Sequence, residues 1–180
     1  MQELPFRIRC AKVEDAAQIA SIYNKCIDER VATFDTEHVT EEERRNRIEQ
    51  SGERHPVLVA ALNDSGRIVG WASISPYSPR KCYSGIGEVS MYVEKEYRGK
   101  GVGRSLLQSL IETGRRQEYW KLMGRIFVFN QVSRSLCKRL GFREIGFHEK
   151  HGKLDGEWID VVEVERLIPE NITYTTTPLM

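Results

Sequence analysis

A glycine-rich turn between a strand-like and a helix-like segment sets the strongest limit on the fold of this chain. In YVEKEYRGKGVGRSLLQSLIETG (92–114), the string Arg98-x-x-Gly101-x-Gly103 precedes a segment whose apolar residues recur at helical intervals. Glycines let a backbone approach a ligand closely, and the first turn of a helix presents unpaired N–H groups at the positive end of its dipole. The turn therefore predicts a pyrophosphate site; the alternative is a turn whose glycines serve tight packing.

Two other phosphate-binding motifs do not fit this turn. A dinucleotide fingerprint counted from Gly99 would need glycine or alanine where Arg104 stands. A Walker A loop needs glycine, four residues and then Gly-Lys-Ser/Thr, and the chain contains no such string.

Strand and helix patterns follow one another along the rest of the chain. Thr40 and Glu43 have the spacing of a capping box, so a charged helix is expected at 41–50, with its charges facing solvent. Asn63-Asp64-Ser65-Gly66 joins two apolar runs and indicates a hairpin. The predicted strands are 6–10, 56–62, 67–75, 86–93, 122–129, 143–149 and 157–166, and the other helices cover 13–28, the segment after the glycine turn, and 130–142.

These patterns predict an α/β fold with a mixed, mostly antiparallel sheet flanked by helices. A chain of 180 residues without an internal repeat suits one domain, here 1–166, followed by an irregular tail at 167–180. The unit of strand, glycine turn, helix and strand should be parallel with a right-handed crossover.

Charge and composition exclude several classes of function. The chain carries 27 basic and 26 acidic residues, so its net charge of +1 predicts no general attraction to nucleic acid or membranes. Its first residues lack the apolar core of a signal peptide, and no run approaches the roughly 20 apolar residues of a membrane span. The expected location is the cytoplasm.

Neither the cysteines nor the histidines show metal-ligand spacing. The four cysteines stand singly, as expected for reduced thiols, and His148 and His151 are interpreted as surface or structural residues. No metal is predicted.

Four further strings carry a resemblance to a known family. ATFDTE (32–37), SPYSPRKCY (75–83), GEVSMYV (87–93) and NQVSRSLCKRLGF (130–142) follow in order around the glycine turn. Over roughly 6–166 the chain resembles the GCN5-related N-acetyltransferase (GNAT) superfamily, and these strings look like its phosphinothricin acetyltransferase branch. YWKLMGRIF (119–127) and HGKLDGEWIDVVEVERL (151–167) look closer still to the arsinothricin N-acetyltransferases of that branch.

The resemblance implies acetyl-CoA as cosubstrate. The main-chain N–H groups of 99–104 would hold its pyrophosphate, with charge added by Arg98 and Arg104, and the strand Met91-Tyr92-Val93 would pair with the pantetheine arm. Asn130 would bond the same arm and Ser133 would line the site; Asn130 could instead serve as a helix N-cap. The implied cofactor contacts are Met91, Tyr92, Val93, Arg98, Gly99, Lys100, Gly101, Val102, Gly103, Arg104, Asn130 and Ser133.

Acetyl transfer to an amine needs a base, because an amino acid's ammonium group has a pKa well above neutral. The period of two in IGEVSMYV places Glu88, Ser90 and Tyr92 on one face of the strand. In the phosphinothricin branch a glutamate at this place is the expected general base, so the resemblance assigns that role to Glu88. The alternative is a structural glutamate paired with a nearby arginine or lysine.

The remaining site residues concern the leaving thiolate and the acceptor. Where relatives carry tyrosine or histidine as a general acid, this chain has Cys137, which helical spacing assigns to packing, and a thiolate can also leave unaided. The resemblance implies that Arg80 binds an anionic group of the acceptor, although Ser78 replaces a second arginine common in relatives. Phe34 would shape the amino-acid pocket or serve as a core aromatic.

Three functions remain open at this point. The leading hypothesis is acetylation of the α-amine of a glutamate-like antimetabolite, namely phosphinothricin, methionine sulfoximine or arsinothricin, which confers resistance. The second is acetylation of another small amine or a protein N-terminus, and the third is acetyl-CoA binding without turnover. Relatives pair as homodimers, so the resemblance also implies a dimer, with the last two strands as candidate interface elements.

Overall fold

The computed structural model describes residues 4–173, which form one seven-stranded sheet flanked by helices. The strand order is β1-β2-β3-β4-β5-β7-β6. All neighbouring pairs are antiparallel except β4 and β5, which are parallel. The strands are β1 Phe6–Cys10, β2 Val57–Leu62, β3 Ile68–Pro76, β4 Ile86–Val93, β5 Lys121–Phe127, β6 Arg143–Leu154 and β7 Glu157–Leu167; the helices are α1 Ala16–Glu29, α2 Glu41–Ser51, α3 Val102–Arg116 and α4 Gln131–Arg139. The predicted fold class is confirmed.

Local signals account for several of these boundaries. Thr40 and Glu43 form the capping box, with Thr40 Oγ1 accepting from the Glu43 N–H, so α2 begins where the sequence places it. The hairpin turn between β2 and β3 closes through the Gly66 N–H, which donates to the carbonyl of Leu62, and Gly66 has a left-handed φ of 71°.

The sheet separates two layers of helices. In β2, alternate residues point to opposite faces: Leu58 and Ala60 join a core with α3 and α4, and Val57 and Val59 join a core with α1. The side chains of α3 that face the sheet are Val102, Leu106, Leu107 and Leu110. This arrangement leaves β6 at one edge of the sheet and β1 at the other.

Several predicted boundaries differ from the structure. The strand predicted at 122–129 is Lys121–Phe127, and the helix predicted at 130–142 is Gln131–Arg139. The segment 13–28 begins as a short 3-10 turn, Val13–Asp15, and becomes α-helical only at Ala16. The strand predicted at 143–149 continues to Leu154, because a register shift between His148 and Gly152 lets β6 resume its pairing with β7.

The chain after β7 is described only as far as residue 173. Ile168 is buried and its N–H donates to the carbonyl of Trp120, and a 3-10 turn follows at Pro169–Asn171. The tail predicted at 167–180 therefore starts as a tethered segment, and its part at 174–180 lies outside the described residues. The division at residue 166 stays a prediction. No helix within residues 4–173 is long and apolar enough to cross a membrane.

Candidate active site

The two parallel strands at the centre of the sheet separate after a short paired segment. β4 and β5 pair only where Ile86–Glu88 meets Lys121–Met123. On its other side β4 remains paired with β3 as far as Val93. Beyond Glu88, one edge of β4 therefore has no strand partner among the described residues. Such an edge can take an extended ligand as an added strand.

A cavity of about 430 Å³ opens where these strands separate. It is walled by β4, β5, β7, α4 and the loop after α1. The predicted site residues that line it are Phe34, Glu88, Met91, Tyr92, Asn130 and Ser133. A larger open groove of about 940 Å³ between α3 and the β1–β2 edge contains none of the predicted residues.

Glu88 lies at the point of separation, with its carboxylate half-buried. The side chain is 30% exposed, and its Oε1 lies 3.5 Å from Nη1 of Arg125 on β5. The backbone carbonyl of Glu88 accepts a hydrogen bond from Ser75 Oγ at 3.3 Å. The arginine partner that the structural alternative predicts for Glu88 is therefore present. The 3.5 Å between Glu88 Oε1 and Arg125 Nη1 is long for a hydrogen bond, however, and Glu88 lines the cavity, as a general base must.

The neighbours of Glu88 on β4 alternate between the two faces of the sheet. Tyr92 packs edge-on against Tyr23 of α1, with ring centroids 4.8 Å apart. Met91 faces α3 instead, where a Cβ on Gly103 would lie 3.5 Å from its Cε atom. Burial, reinforced by Tyr23, raises the pKa of the Tyr92 hydroxyl, so this group stays neutral at physiological pH.

The glycine turn has the backbone geometry of an anion site. Gly99 and Gly101 have left-handed φ angles of 74° and 88°, and a Cβ on either would meet no atom within 4 Å. The Ser105 N–H donates to the Gly101 carbonyl. Among residues 4–173 no acceptor is found for the N–H groups of 99–104. These free donors at the start of a 15-residue helix fit a pyrophosphate, so the residues present suit coenzyme A.

The cations around this turn have different environments. Lys100 and Arg104 are exposed, and neither forms an ion pair within the described chain. The guanidinium of Arg98 is already engaged: its Nη1 lies 2.7 Å from Glu29 Oε2, and its Nε donates to the Val93 carbonyl. Arg98 therefore ties the turn to α1 and β4, and Lys100 and Arg104 hold the unpaired charge.

α4 presents Asn130, Ser133 and Cys137 to the cavity. Asn130 is the N-cap of α4, since its Oδ1 accepts from the Ser133 N–H at 3.1 Å, and its Nδ2 donates to the Val31 carbonyl at 3.2 Å. The capping alternative is thus observed, and the predicted contact with pantetheine stays a prediction. Cys137 is 8% exposed, and burial raises the pKa of its thiol to about 11.

The two predicted acceptor contacts lie in different surroundings. The ring of Phe34 packs edge-on against Phe127 at 4.8 Å and against Gly152 of β6, where a Cβ would lie 2.7 Å from the ring. Phe34 thus forms a wall of the cavity. Arg80 is exposed on the loop between β3 and β4, with its guanidinium carbon 5.6 Å from the Tyr83 ring centroid, and it does not line the cavity.

A polar group beside the cavity was missed by the sequence analysis. The Tyr23 hydroxyl donates to Asp35 Oδ2 at 2.6 Å, and burial and Asp35 raise the pKa of Tyr23. The guanidinium carbon of Arg44 lies 4.3 Å above the Tyr23 ring. The expectation that the charges of α2 face solvent is therefore wrong for Arg44, because the packing of α2 places this side chain over the rings of Tyr23 and Trp71. No sequence motif marks these contacts.

A sheet that opens beside a glycine turn at a helix start is the arrangement of an acetyltransferase that uses acetyl-CoA. The sequence model described as "Acetyltransferase (GNAT) domain" matches residues 8–162, so the chain belongs to this family. The predicted family is confirmed.

Within residues 4–173 the structure contains no group of three His, Cys, Asp or Glu side chains that could hold a metal ion.

Named relatives cover most of the chain. It is 32% identical over 162 residues to the phosphinothricin N-acetyltransferase of Streptomyces coelicolor, covering 89% of this chain and 95% of that protein. It is 34% identical over 155 residues to the L-methionine sulfoximine/L-methionine sulfone acetyltransferase of Pseudomonas aeruginosa, covering 86% and 90%. The crystal structure of a phosphinothricin acetyltransferase from Sinorhizobium meliloti in complex with AcCoA superposes with a TM-score of 0.86 at 28% identity, covering 91% of this chain and 89% of that chain.

Proposed function

We propose that this acetyltransferase moves the acetyl group of acetyl-CoA to the α-amine of a glutamate-like amino-acid antimetabolite and so confers resistance to it. The observation that carries the proposal is Glu88, whose carboxylate meets a small cavity beside the free edge of β4. Relatives named for phosphinothricin and methionine sulfoximine support this substrate class, and arsinothricin belongs to the same class.

In the proposed reaction, Glu88 takes a proton from the acceptor's ammonium group, directly or through a water molecule. The free amine then attacks the thioester carbonyl, the new C–N bond forms and the C–S bond breaks, so that coenzyme A leaves as its thiolate. Cys137 is a poor proton donor for this thiolate, because its pKa of about 11 exceeds the roughly 8.5 of an ordinary thiol. The thiolate therefore leaves unaided or takes a proton from water.

The proposed contacts with acetyl-CoA use two features described above: the N–H groups of 99–104 and the edge of β4 beyond Glu88. The pyrophosphate would bind the N–H groups of Gly99, Lys100, Gly101, Val102, Gly103 and Arg104, with charge from Lys100 and Arg104. The pantetheine arm would lie along Met91-Tyr92-Val93. Asn130 and Ser133 would line its far end.

For the acceptor, Phe34 would cover the hydrocarbon part of the side chain. Arg80 stays a proposed contact for an anionic group: it lies on the loop that precedes β4, outside the cavity lining. This contact requires the exposed guanidinium to meet a part of the acceptor that extends beyond the cavity, or the loop to move toward it on binding.

The screen that tests the proposal follows release of free thiol from acetyl-CoA with a panel of amines. Phosphinothricin, L-methionine sulfoximine and arsinothricin are compared with glutamate, a polyamine and a peptide with a free N-terminus. Selective turnover of the three antimetabolites supports the proposal. Preferential turnover of the peptide or the polyamine would assign the chain to another acceptor class, and absence of any thiol release would support a binding module.

A further inference from the structure

Three buried hydrogen-bond donors without an acceptor cluster beside the active site. They are Nε of Arg44 on α2, and Nε1 of Trp71 and Oγ of Ser73 on β3. Trp71 and Ser73 are only 3% and 1% exposed. The guanidinium carbon of Arg44 lies 5.4 Å from the Trp71 ring centroid. Buried polar groups are nearly always satisfied in native proteins, so three orphan donors together indicate an acceptor that binds between them.

The positive charge of this cluster faces aromatic rings rather than a carboxylate. Within residues 4–173 the guanidinium of Arg44 has no carboxylate partner at ion-pair distance. Asp35 and the adjacent Glu43 are engaged elsewhere: Asp35 accepts from the Tyr23 hydroxyl, and Glu43 accepts from the Thr40 N–H. Burial lowers the pKa of Arg44, which shows that its surroundings disfavour an unpaired cation. An anion would relieve this cost.

Two members of the cluster, Arg44 and Ser73, face a second cavity of about 550 Å³ between α2 and β3, and Trp71 lies behind them on β3. Arg44, Ser73 and Ser75 all line it. Ser75 lies directly opposite Glu88 in the β3–β4 pairing, and Ser73 lies opposite Ser90. Partners in an antiparallel pair share a face, so these groups are one strand spacing, about 4.8 Å, from the strand that carries Glu88.

We propose, building on the proposed function, that Arg44, Trp71 and Ser73 form a subsite for an oxyanion of the acceptor amino acid. The oxyanion is either the α-carboxylate or the phosphinate or arsinate of the side chain. A planar guanidinium whose Nε lacks an acceptor suits such a group, and the hydroxyl and indole N–H supply further donors. The subsite places the acceptor with its anionic group over β3 and its amine at Glu88.

The kinetic test compares Arg44→Met with Arg45→Met, a neighbouring exposed arginine of α2 that pairs with Glu41. We expect Arg44→Met to raise the KM for phosphinothricin about 10-fold or more, as loss of a charge-assisted hydrogen bond does, with the KM for acetyl-CoA unchanged. Lysine at position 44 should restore part of the loss. L-methionine sulfone has a neutral side chain and keeps the α-carboxylate. If Arg44→Met raises the KM for this substrate as much as the KM for phosphinothricin, the subsite binds the α-carboxylate. If the KM for the sulfone does not rise, the subsite binds the side-chain oxyanion.

Ser73→Ala gives a second test that does not depend on the packing of Arg44. Removing a buried hydroxyl that lacks a partner should leave the melting temperature unchanged or raise it, because no native hydrogen bond is lost. The same variant should raise the KM for phosphinothricin. A structural role for Ser73 predicts the opposite pair of results, a lower melting temperature with an unchanged KM.

A third measurement separates the subsite from the activity. With coenzyme A saturating the glycine turn, inorganic phosphate should raise the melting temperature of the wild-type protein and of Arg45→Met. The rise should be smaller in Arg44→Met and Arg44→Lys. If the wild-type protein acetylates neither amino acid, the proposed function fails and the phosphate measurement still decides the subsite. Equal phosphate stabilisation and equal KM values in the Arg44 and Arg45 variants would overturn the inference.

Discussion

Glu88, the proposed general base, lies between an arginine and the cavity. Arg125 Nη1 lies 3.5 Å from its carboxylate, and the side chain is 30% exposed beside the cavity that Glu88 lines. A carboxylate placed in this way is available to an acceptor amine bound in the cavity.

Replacing Glu88 by Gln should keep the shape of the site and remove proton acceptance. We expect kcat at pH 7 to fall about 10²- to 10⁴-fold, and the loss to shrink as the pH rises and the amine deprotonates unaided. Glu144→Gln, at an exposed site on β6 paired with Arg134, is the matched control and should retain wild-type kcat. Near-normal turnover of Glu88→Gln at pH 7 would transfer the role to water or to another residue.

Asp15 is the residue where burial and pairing act most clearly on stability. It is 6% exposed and accepts two hydrogen bonds from Arg9 of β1 and one from the Lys12 N–H. Burial by itself would raise the pKa of Asp15, but these hydrogen bonds outweigh it and lower the pKa below the ordinary value. The pair joins β1 to the start of α1.

Asp15→Asn should lower the free energy of unfolding at pH 7 by about 2 kcal/mol, the scale of a hydrogen bond to a charged group. A lowered folded-state pKa contributes stability that is present above the ordinary carboxyl pKa of about 3.9 and is lost as the pH falls through the folded value. The difference between variant and wild type should therefore shrink below about pH 4. Urea unfolding at pH 7 and pH 3 measures it, with exposed Asp64→Asn as control; a difference that grows in acid would contradict the assignment.

At the scale of elements, the turn before α3 depends on left-handed backbone at Gly99 and Gly101. Among the described residues the N–H groups of 99–104 have no acceptor, and a Cβ at Gly101 would stand in open space, with no atom within 4 Å. A single substitution there changes both the backbone conformation and the room for a phosphate.

Gly101→Val should weaken acetyl-CoA binding about 10-fold or more, because the branched side chain stands where the pyrophosphate meets the backbone. Gly66→Val separates this effect from backbone strain: Gly66 also has a left-handed φ, 71°, with open space around it, but lies in the β2–β3 turn. Both variants should lose similar stability. Calorimetry should show reduced acetyl-CoA affinity in Gly101→Val alone, and equal affinities would remove the turn from the site.

At the scale of the whole molecule, the edge beyond β7 is the surface best suited to a second copy of the chain. β6 is a 12-residue edge strand, and Ile145, Phe147 and Trp158 are 40%, 55% and 54% exposed on β6 and β7. Long edge strands with exposed apolar side chains invite pairing. This agrees with the proposed homodimer, which would cover these side chains.

Light scattering should give about twice the 20.8 kDa mass of one chain for the wild-type protein. Phe147→Arg should shift the mass toward that of one chain, because a charge on the covered edge opposes association. Leu4→Arg changes an equally exposed apolar residue far from this edge and should leave the dimer intact. A wild-type mass near 21 kDa at working concentration would reject the dimer.

The parts of this protein that could be predicted from sequence depend on residues close together in the chain. The Thr40–Glu43 capping box and the hairpin at Asn63–Gly66 are short-range interactions, and so is the glycine turn before α3. Strand and helix periodicity likewise needs only neighbouring residues, which is why the order of elements and the α/β class were accessible.

Contacts between distant residues were not accessible in this way. Arg98 meets Glu29, Glu88 meets Arg125, and Arg44 lies above Tyr23 and Trp71 only because strand order and helix packing bring these residues together. No local pattern encodes such pairs, since they depend on how each element crosses the sheet. The same physical reason explains why the charge of Arg44 was expected in solvent, while the packing of α2 holds it beside the active site.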